Sequence, residues 1–272
     1  MQNSPLVSVI VPIYNTPIEY LKQCVDSLKS QTLDNFECIL SDNNSNDEVG
    51  KYCAELVGID KRFIYIKHLA NLGAGEARNR GINISRGHYI AQLDSDDIAD
   101  PKRLKEQYLF LEANKEIHVL GTFVKEFSET IMEFRTNRYP VDHVEIARAI
   151  LVYNPIVNPS AMFRRTAIEV GGGYDPTMTY CEDWELYLRW VNRGLIFHNL
   201  ETPLTYYRNN HNKLRPLKHW LMAIKALTIN LKTNHILTRC YGITRLIVWA
   251  FLPRFIKKIC YRELRNLQLD IH

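Results

Sequence analysis

Three carboxylates stand within four residues at Asp94-Ser95-Asp96-Asp97, directly behind the apolar run Tyr89-Ile90-Ala91-Gln92-Leu93. Aspartates crowded at a strand end repel one another, so they call for a cation or hydrogen-bond donors nearby. An all-oxygen set suits a hard divalent ion, Mg2+ or Mn2+, and such ions commonly bridge a protein carboxylate to substrate phosphates. The segment reads as a metal–diphosphate site. An isolated Asp-Ser-Asp is more often an acidic surface turn, so the surrounding elements have to decide.

Those elements alternate. Val7–Ile13, Phe36–Ser41, Arg62–Lys67 and His88–Leu93 are short apolar runs rich in β-branched and aromatic residues, as buried strands require. Between the first two, Thr16 is placed to cap a helix with Pro17 at its first position and Glu19 completing a capping box. Ile18, Leu21, Val25 and Leu28 form its buried stripe. Helices over 49–57 and 74–85, the latter closed by Gly87, fill the other gaps. The alternation predicts an α/β domain with a parallel, doubly wound sheet. Ligands bind such sheets beyond the carboxyl ends of the strands. Pro12-Ile13-Tyr14-Asn15, Asp42-Asn43-Asn44-Ser45 and Asp94-Ser95-Asp96-Asp97 all fall on that edge, which favours a nucleotide cleft.

Beyond Asp100-Pro101 the sequence predicts a helix with Leu104, Tyr108 and Leu111 on one face, then strand-like pieces at 119–127 and 130–134 and a short helix over 142–151. An apolar stretch at 156–163 leads to Gly171-Gly172-Gly173-Tyr174. Glu182-Asp183 then opens a helix with Trp184, Tyr187, Leu188 and Val191 on its apolar face.

Composition bounds the reading. The 272 residues are 46% apolar and 24% charged, ordinary for a globular protein with one sizeable core. Six cysteines without a Cys-x-x-Cys spacing argue against a disulfide framework or zinc site. Met1 to Pro5 shows no basic leader, and no segment reaches the roughly 18 apolar residues of a membrane span, so the expected location is the cytoplasm. The net charge of +4 conceals a division: residues 213–272 carry 12 Lys and Arg against Glu263 and Asp270, a local +10, while residues 1–212 sum to −6.

Taken together, the motifs resemble the family 2 glycosyltransferases, whose fold is GT-A. The matching segments are PIYN at 12–15, DNNSND at 42–47, NLGAGEARNRGI at 71–82, LDSDD at 93–97, NPSAMFRR at 158–165, GGYD at 172–175 and CEDWELYLRW at 181–190. They agree in order and spacing over about residues 6–212. The resemblance implies a catalytic domain over 1–212, with a nucleotide-binding half to about residue 100 and an acceptor-binding half after it. Residues 213–272 form a basic helical extension.

It further implies an inverting transfer of a hexose or N-acetylhexosamine from a nucleotide-diphospho-sugar, UDP preferred, to a hydroxyl of a growing and lipid-linked surface glycan. Donor contacts are expected from Pro12, Tyr14, Asn15, Asp42, Asn43, Arg78, Asp94, Ser95 and Asp97. Family members commonly carry two acids where this chain has Asp42-Asn43, and the pair reads equally as an Asx-turn. Arg78, on a helix opening at a glycine-containing loop, suits a diphosphate, or a surface ion pair. Asp94 is assigned to the ribose or uracil side, Asp96 to the metal (Mn2+ or Mg2+), and Asp97 to orienting the loop or the donor sugar, or to a local cap. Asp183 is the expected base, with Glu182 fixing Asp183 or touching the acceptor. A carboxylate pair there also complements the helix dipole. His211 corresponds to a family histidine that completes the metal shell, although two residues rather than one separate it from Arg208, which leaves a surface histidine open.

In the extension, Leu217, Leu221, Ile224, Thr228 and Leu231 share one helical face, and the apolar stretch 246–253 is flanked by basic residues. Such a segment can lie on an anionic membrane surface, or pack on the catalytic domain or a sister subunit in a homo-oligomer. Nucleic-acid binding is not expected, since no binding motif accompanies the charge. Two rivals remain at this level. One is another Mg2+-dependent phosphate chemistry. A phosphatase would want Thr or Val where Ile98 stands, and a nucleotidyltransferase a glycine-rich loop that 12–16 lacks. The other is a non-catalytic nucleotide- or glycan-binding scaffold.

Overall fold

The computed structural model describes residues 4–128, 131–208, 215–231, 236–253 and 256–257. Its first half contains four parallel strands, β1 (Val7–Ile13), β2 (Phe36–Asp42), β3 (Phe63–Lys67) and β4 (Tyr89–Gln92), in spatial order β3-β2-β1-β4. Each lies within one residue, at either end, of the run expected from sequence. Helices α1 (Ile18–Lys29), α2 (Asp47–Ile59) and α3 (Ala74–Ile84) make the crossovers. Side chains alternate along β1. Val7, Val9 and Val11 enter one apolar cluster with Leu21, Val25 and Leu28 of α1, while Ile10 enters the other with Ile82 of α3.

The order of these strands matters for function. The chain winds from β1 outward to β2 and β3, then returns to set β4 on the opposite side of β1. The winding reverses between β1 and β4, where crevices open at the carboxyl edge of such sheets. Tyr14 and Asp94 follow these two strands.

The capping box expected at α1 does not form. Pro17 takes the cap position without a side-chain bond, and Thr16 Oγ1 instead lies 2.6 Å from Ser95 Oγ. The helix starts one residue later than expected, with Pro17 rather than Thr16 at the cap, and the Thr16 hydroxyl is engaged in a tertiary bond.

The second half adds β5 (Ile98–Ala99), α4 (Arg103–Ala113), β6 (Val119–Ser128), β7 (Ile131–Asn137), α5 (His143–Ala149), a 3₁₀ turn (Asn158–Ser160), β8 (Met162–Arg164), α6 (Arg165–Gly171), α7 (Glu182–Asn192) and β9 (Phe197–Arg208). The sheet is less parallel than expected. β8 joins β4 antiparallel, β6 joins β8 antiparallel, and β9 runs parallel to β6, with β5 and β7 as antiparallel additions. Parallel pairing needs helical crossovers, which the first half supplies regularly and the second half does not.

In the C-terminal extension, α8 (Leu217–Ile229) and α9 (Ile236–Phe251) form a helical pair against α7. The buried face of α8 is Ala223, Ala226 and Leu227, whereas Leu217, Leu221 and Leu231 of the expected stripe are exposed. The apolar stretch from Leu246 is the second half of α9, with Leu246 and Ala250 buried. A Cβ on Gly242 would stand 2.1 Å from the Leu151 carbonyl oxygen, so only glycine lets α9 approach there. No described helix is long and apolar enough to cross a membrane.

Candidate active site

Loops from β1, β2 and β4 meet at the sheet's carboxyl edge and brace one another. Asn15, held at φ 48°, donates its backbone N–H to Ser45 Oγ (3.0 Å), and its side-chain oxygen accepts from the Asn46 N–H (3.0 Å). Asp42 is fully buried. Its Oδ1 accepts the Ser45 N–H at 2.8 Å, and its Oδ2 accepts the Tyr65 hydroxyl at 2.6 Å. Asn43 accepts the Leu72 N–H (2.9 Å) and donates to Asn71 (2.6 Å), tying the β2 loop to the loop before α3. Both side chains at 42–43 are thus committed to protein partners, with Asp42 in the turn geometry that was the alternative to base contact. Tyr14, 53% exposed, and the half-buried Pro12 leave an open face at the end of β1.

The acidic loop divides inward from outward. Ser95 is buried against Thr16, and Asp97 is 1% exposed, its Oδ1 accepting the Arg208 backbone N–H at 2.7 Å. Arg208 Nε donates to the Asp96 carbonyl at 2.8 Å, while its guanidinium lies over the Tyr20 and Phe127 rings. The end of β9 therefore fixes the loop. Asp94 and Asp96 are half-buried. Burial, then the neighbouring Asp94, pushes the Asp96 carboxyl up to about 6. A divalent cation would reverse both effects, so the donor set fits a hard metal ion. Among the described residues no three His, Cys, Asp or Glu side chains form a complete cage. His211 lies outside the described residues.

Arg78 is the hub of the site. It is 5% exposed, and α3, which begins after Gly73 at φ 88°, carries it under the acidic loop. Its Nη2 donates to Asp94 Oδ1 at 2.8 Å and its Nη1 to Glu182 Oε1 at 2.7 Å. The guanidinium also lies 5.5 Å from the Tyr174 ring centroid. Asn158 adds a further partner. Turned so that its amide nitrogen donates to the Tyr174 and Tyr187 hydroxyls, its oxygen accepts from Arg78 Nε at 3.2 Å. Arg78 thus joins the two halves of the domain and is itself surrounded by protein.

Cys181, at φ 56°, starts α7, whose first turn carries Glu182, Asp183 and Glu185 in accord with the helix dipole. Asp183 Oδ1 accepts the Trp184 N–H at 2.8 Å and Oδ2 accepts from Asn154 Nδ2 at 3.0 Å. Burial, then Glu182, pushes Asp183 up to about 6, with Arg78 opposing. Asp94, Arg78, Glu182 and Asp183 all open on one cleft of about 670 Å³. Tyr153, Tyr180 and Trp220 line it too, as do Arg215, His219 and Arg245 of the extension.

Sequence reasoning assigned no role to Asn154, Asn158, Tyr174 or Arg208. Asn158 and Tyr174 stand inside quoted motifs, which was the available signal. Asn154 has none, because it meets Asp183 only through the fold.

A family model described as Glycosyl transferase family 2 matches residues 8–179. An uncharacterized glycosyltransferase of Methanocaldococcus jannaschii is 34% identical over 272 residues, covering 94% of this chain and 93% of its own. The UDP-Glc:alpha-D-GlcNAc-diphosphoundecaprenol beta-1,3-glucosyltransferase WfaP of Escherichia coli is 28% identical over 96% of this chain and 99% of its own. Among solved structures, S. aureus TarS 1–349 in complex with UDP-GlcNAc is similar with a TM-score of 0.70 at 17% identity, over 89% of this chain and 71% of that one. At that identity the likeness is one of fold.

Proposed function

The chain belongs to glycosyltransferase family 2 and has a GT-A fold, and on that premise we propose that it is a metal-dependent inverting hexosyl- or N-acetylhexosaminyltransferase. The donor is a nucleotide-diphospho-sugar, UDP-linked by preference, and the acceptor a hydroxyl of a growing lipid-linked glycan. WfaP and the UDP-GlcNAc complex of TarS support that choice by what their names state. The observation that carries the reading is the single cleft onto which Asp94 of the donor edge and Asp183 of α7 both open.

The chain's own residues divide the work. Tyr14, exposed beyond β1, offers a ring for the base to stack on. Asp96 would hold Mn2+ or Mg2+, with Asp94 on the ribose or uracil side of the donor, and the ion would offset charge on the departing diphosphate. Asp183, oriented by Asn154, takes the proton from the acceptor hydroxyl as it attacks. Glu182 acts indirectly, by holding Arg78. A pKa near 6 leaves Asp183 ionised at neutral pH yet basic enough to accept a proton.

The outer face of α9 serves as a membrane contact. Leu237 (84% exposed), Tyr241, Val248 and Phe251 (70%) follow one another at helical spacing along it, with Arg245 beside them. Such a face suits the anionic cytoplasmic surface, and a second copy of the chain is the alternative occupant.

The deciding experiment is thermal stabilisation by a panel of nucleoside diphosphates and nucleotide sugars, each with Mn2+ and with EDTA. A metal-dependent shift for a uridine nucleotide is expected. No shift for any nucleotide would favour a non-catalytic scaffold.

A further inference from the structure

Arg78 is paired with Asp94 and Glu182, whereas the cleft's other two guanidiniums make no ion pair with its carboxylates among the described residues. Asp94, Glu182 and Asp183 lie on the catalytic side, while Arg215 and Arg245, both exposed, lie where the C-terminal helices border the same cavity. Neither guanidinium forms an ion pair among the described residues. Arg215 Nη1 is 2.9 Å from His219 Nε2, and Arg245 Nη2 donates to the Val152 carbonyl. Burial, then Arg215, holds His219 down to about 4, so it is a neutral partner. Both arginines are thus positioned by uncharged groups and have no ion-pair partner among the described residues. Trp220 lines the same cavity, and its indole N–H has no acceptor among the described residues. Exposed Leu217 and Leu221 follow Arg215 on α8, and exposed Tyr241 and Val248 flank Arg245 on α9.

One cleft thus holds a base and two cations, and the helices bordering it expose apolar side chains. We propose that Arg215 and Arg245 bind the diphosphate of a lipid-linked sugar acceptor, with its sugar directed at Asp183 and its lipid along the exposed faces of α8 and α9. This rests on the transferase reading of the cleft and names its acceptor class. Guanidiniums bind phosphate oxygens bidentately, and a sugar, a diphosphate and a lipid are the groups that a base, two cations and an apolar helix surface would receive.

The test is calorimetric titration of the full chain with farnesyl diphosphate in EDTA, which removes metal from the donor side. Farnesol and inorganic pyrophosphate serve as controls. Farnesyl diphosphate should bind at least tenfold more tightly than either, and R215Q/R245Q should lose at least tenfold while Asp96→Ala loses nothing. Four results would overturn the proposal: no binding to the native chain, unchanged binding by the double variant, equal binding of farnesol, or loss in Asp96→Ala, which would place the diphosphate in the donor cleft. Phosphatidylglycerol vesicles separate the other source of phosphate. If the double variant loses vesicle binding but keeps farnesyl diphosphate, the arginines read bilayer headgroups and the proposal fails. Failure of the transferase reading is seen separately, as absence of any Mn2+-dependent nucleotide stabilisation in the native chain.

Discussion

Arg78 and Glu182, 104 residues apart in sequence, are joined by a 2.7 Å ion pair that ties the first half of the domain to the second. The same guanidinium holds Asp94, so removing it leaves two half-buried carboxylates without their shared cation. Arg78→Met should destabilise the fold by about 3–5 kcal/mol, the range for breaking a buried pair from one side. Chemical denaturation measures it, and a loss below half a kcal/mol would show that water already screens the pair.

Asp183→Asn should retain donor binding and turn over at least about a hundredfold more slowly, the usual contribution of a general base. Comparing nucleotide affinity with single-turnover rate separates the two. Normal turnover would remove Asp183 from the mechanism.

The acid limb of the rate follows from the same residue. A base works only when ionised, and burial with Glu182 raises this carboxyl to about 6. Activity should therefore hold at neutral pH and fall as pH drops through about 6, approaching tenfold per unit below it. A limb centred near 4 would mean that Asp183 is solvated like a surface aspartate.

Asp96→Ala should abolish the Mn2+-dependent part of nucleotide stabilisation, with the metal-free part unchanged. Thermal shifts with and without EDTA read this directly. An intact Mn2+ effect would assign the metal to other residues.

Triple replacement of Leu237, Val248 and Phe251 by serine should weaken sedimentation with phosphatidylglycerol vesicles and leave nucleotide stabilisation unchanged. Unaltered sedimentation, or a dimer that the replacements dissociate, would reassign that face.

The strands that build the sheet's carboxyl edge in the first half were legible because β1 to β4 are compact runs between clear turn signals. β9 was not, since Glu201, Thr202 and Pro203 interrupt its twelve residues and blur any alternation. Its last residue nevertheless fixes the acidic loop. The expected α8 stripe weighted large side chains, yet that helix buries Ala223 and Ala226 against its neighbours. At the site, motif order located Arg78, Glu182 and Asp183 individually. Their partners arise from tertiary folding, as does the diversion of Thr16 from its cap to Ser95.

Gly242 gives the C-terminal helical pair a property of its own. α9 meets the domain at the Leu151 carbonyl through a position that tolerates no side chain, while the sheet edge is assembled without it. The helical pair is in that sense a cassette keyed at Gly242 and seated by the apolar packing of Ala223, Leu227 and Leu246. Exchanging it between related chains, with that glycine kept, should carry acceptor preference across and leave donor choice behind.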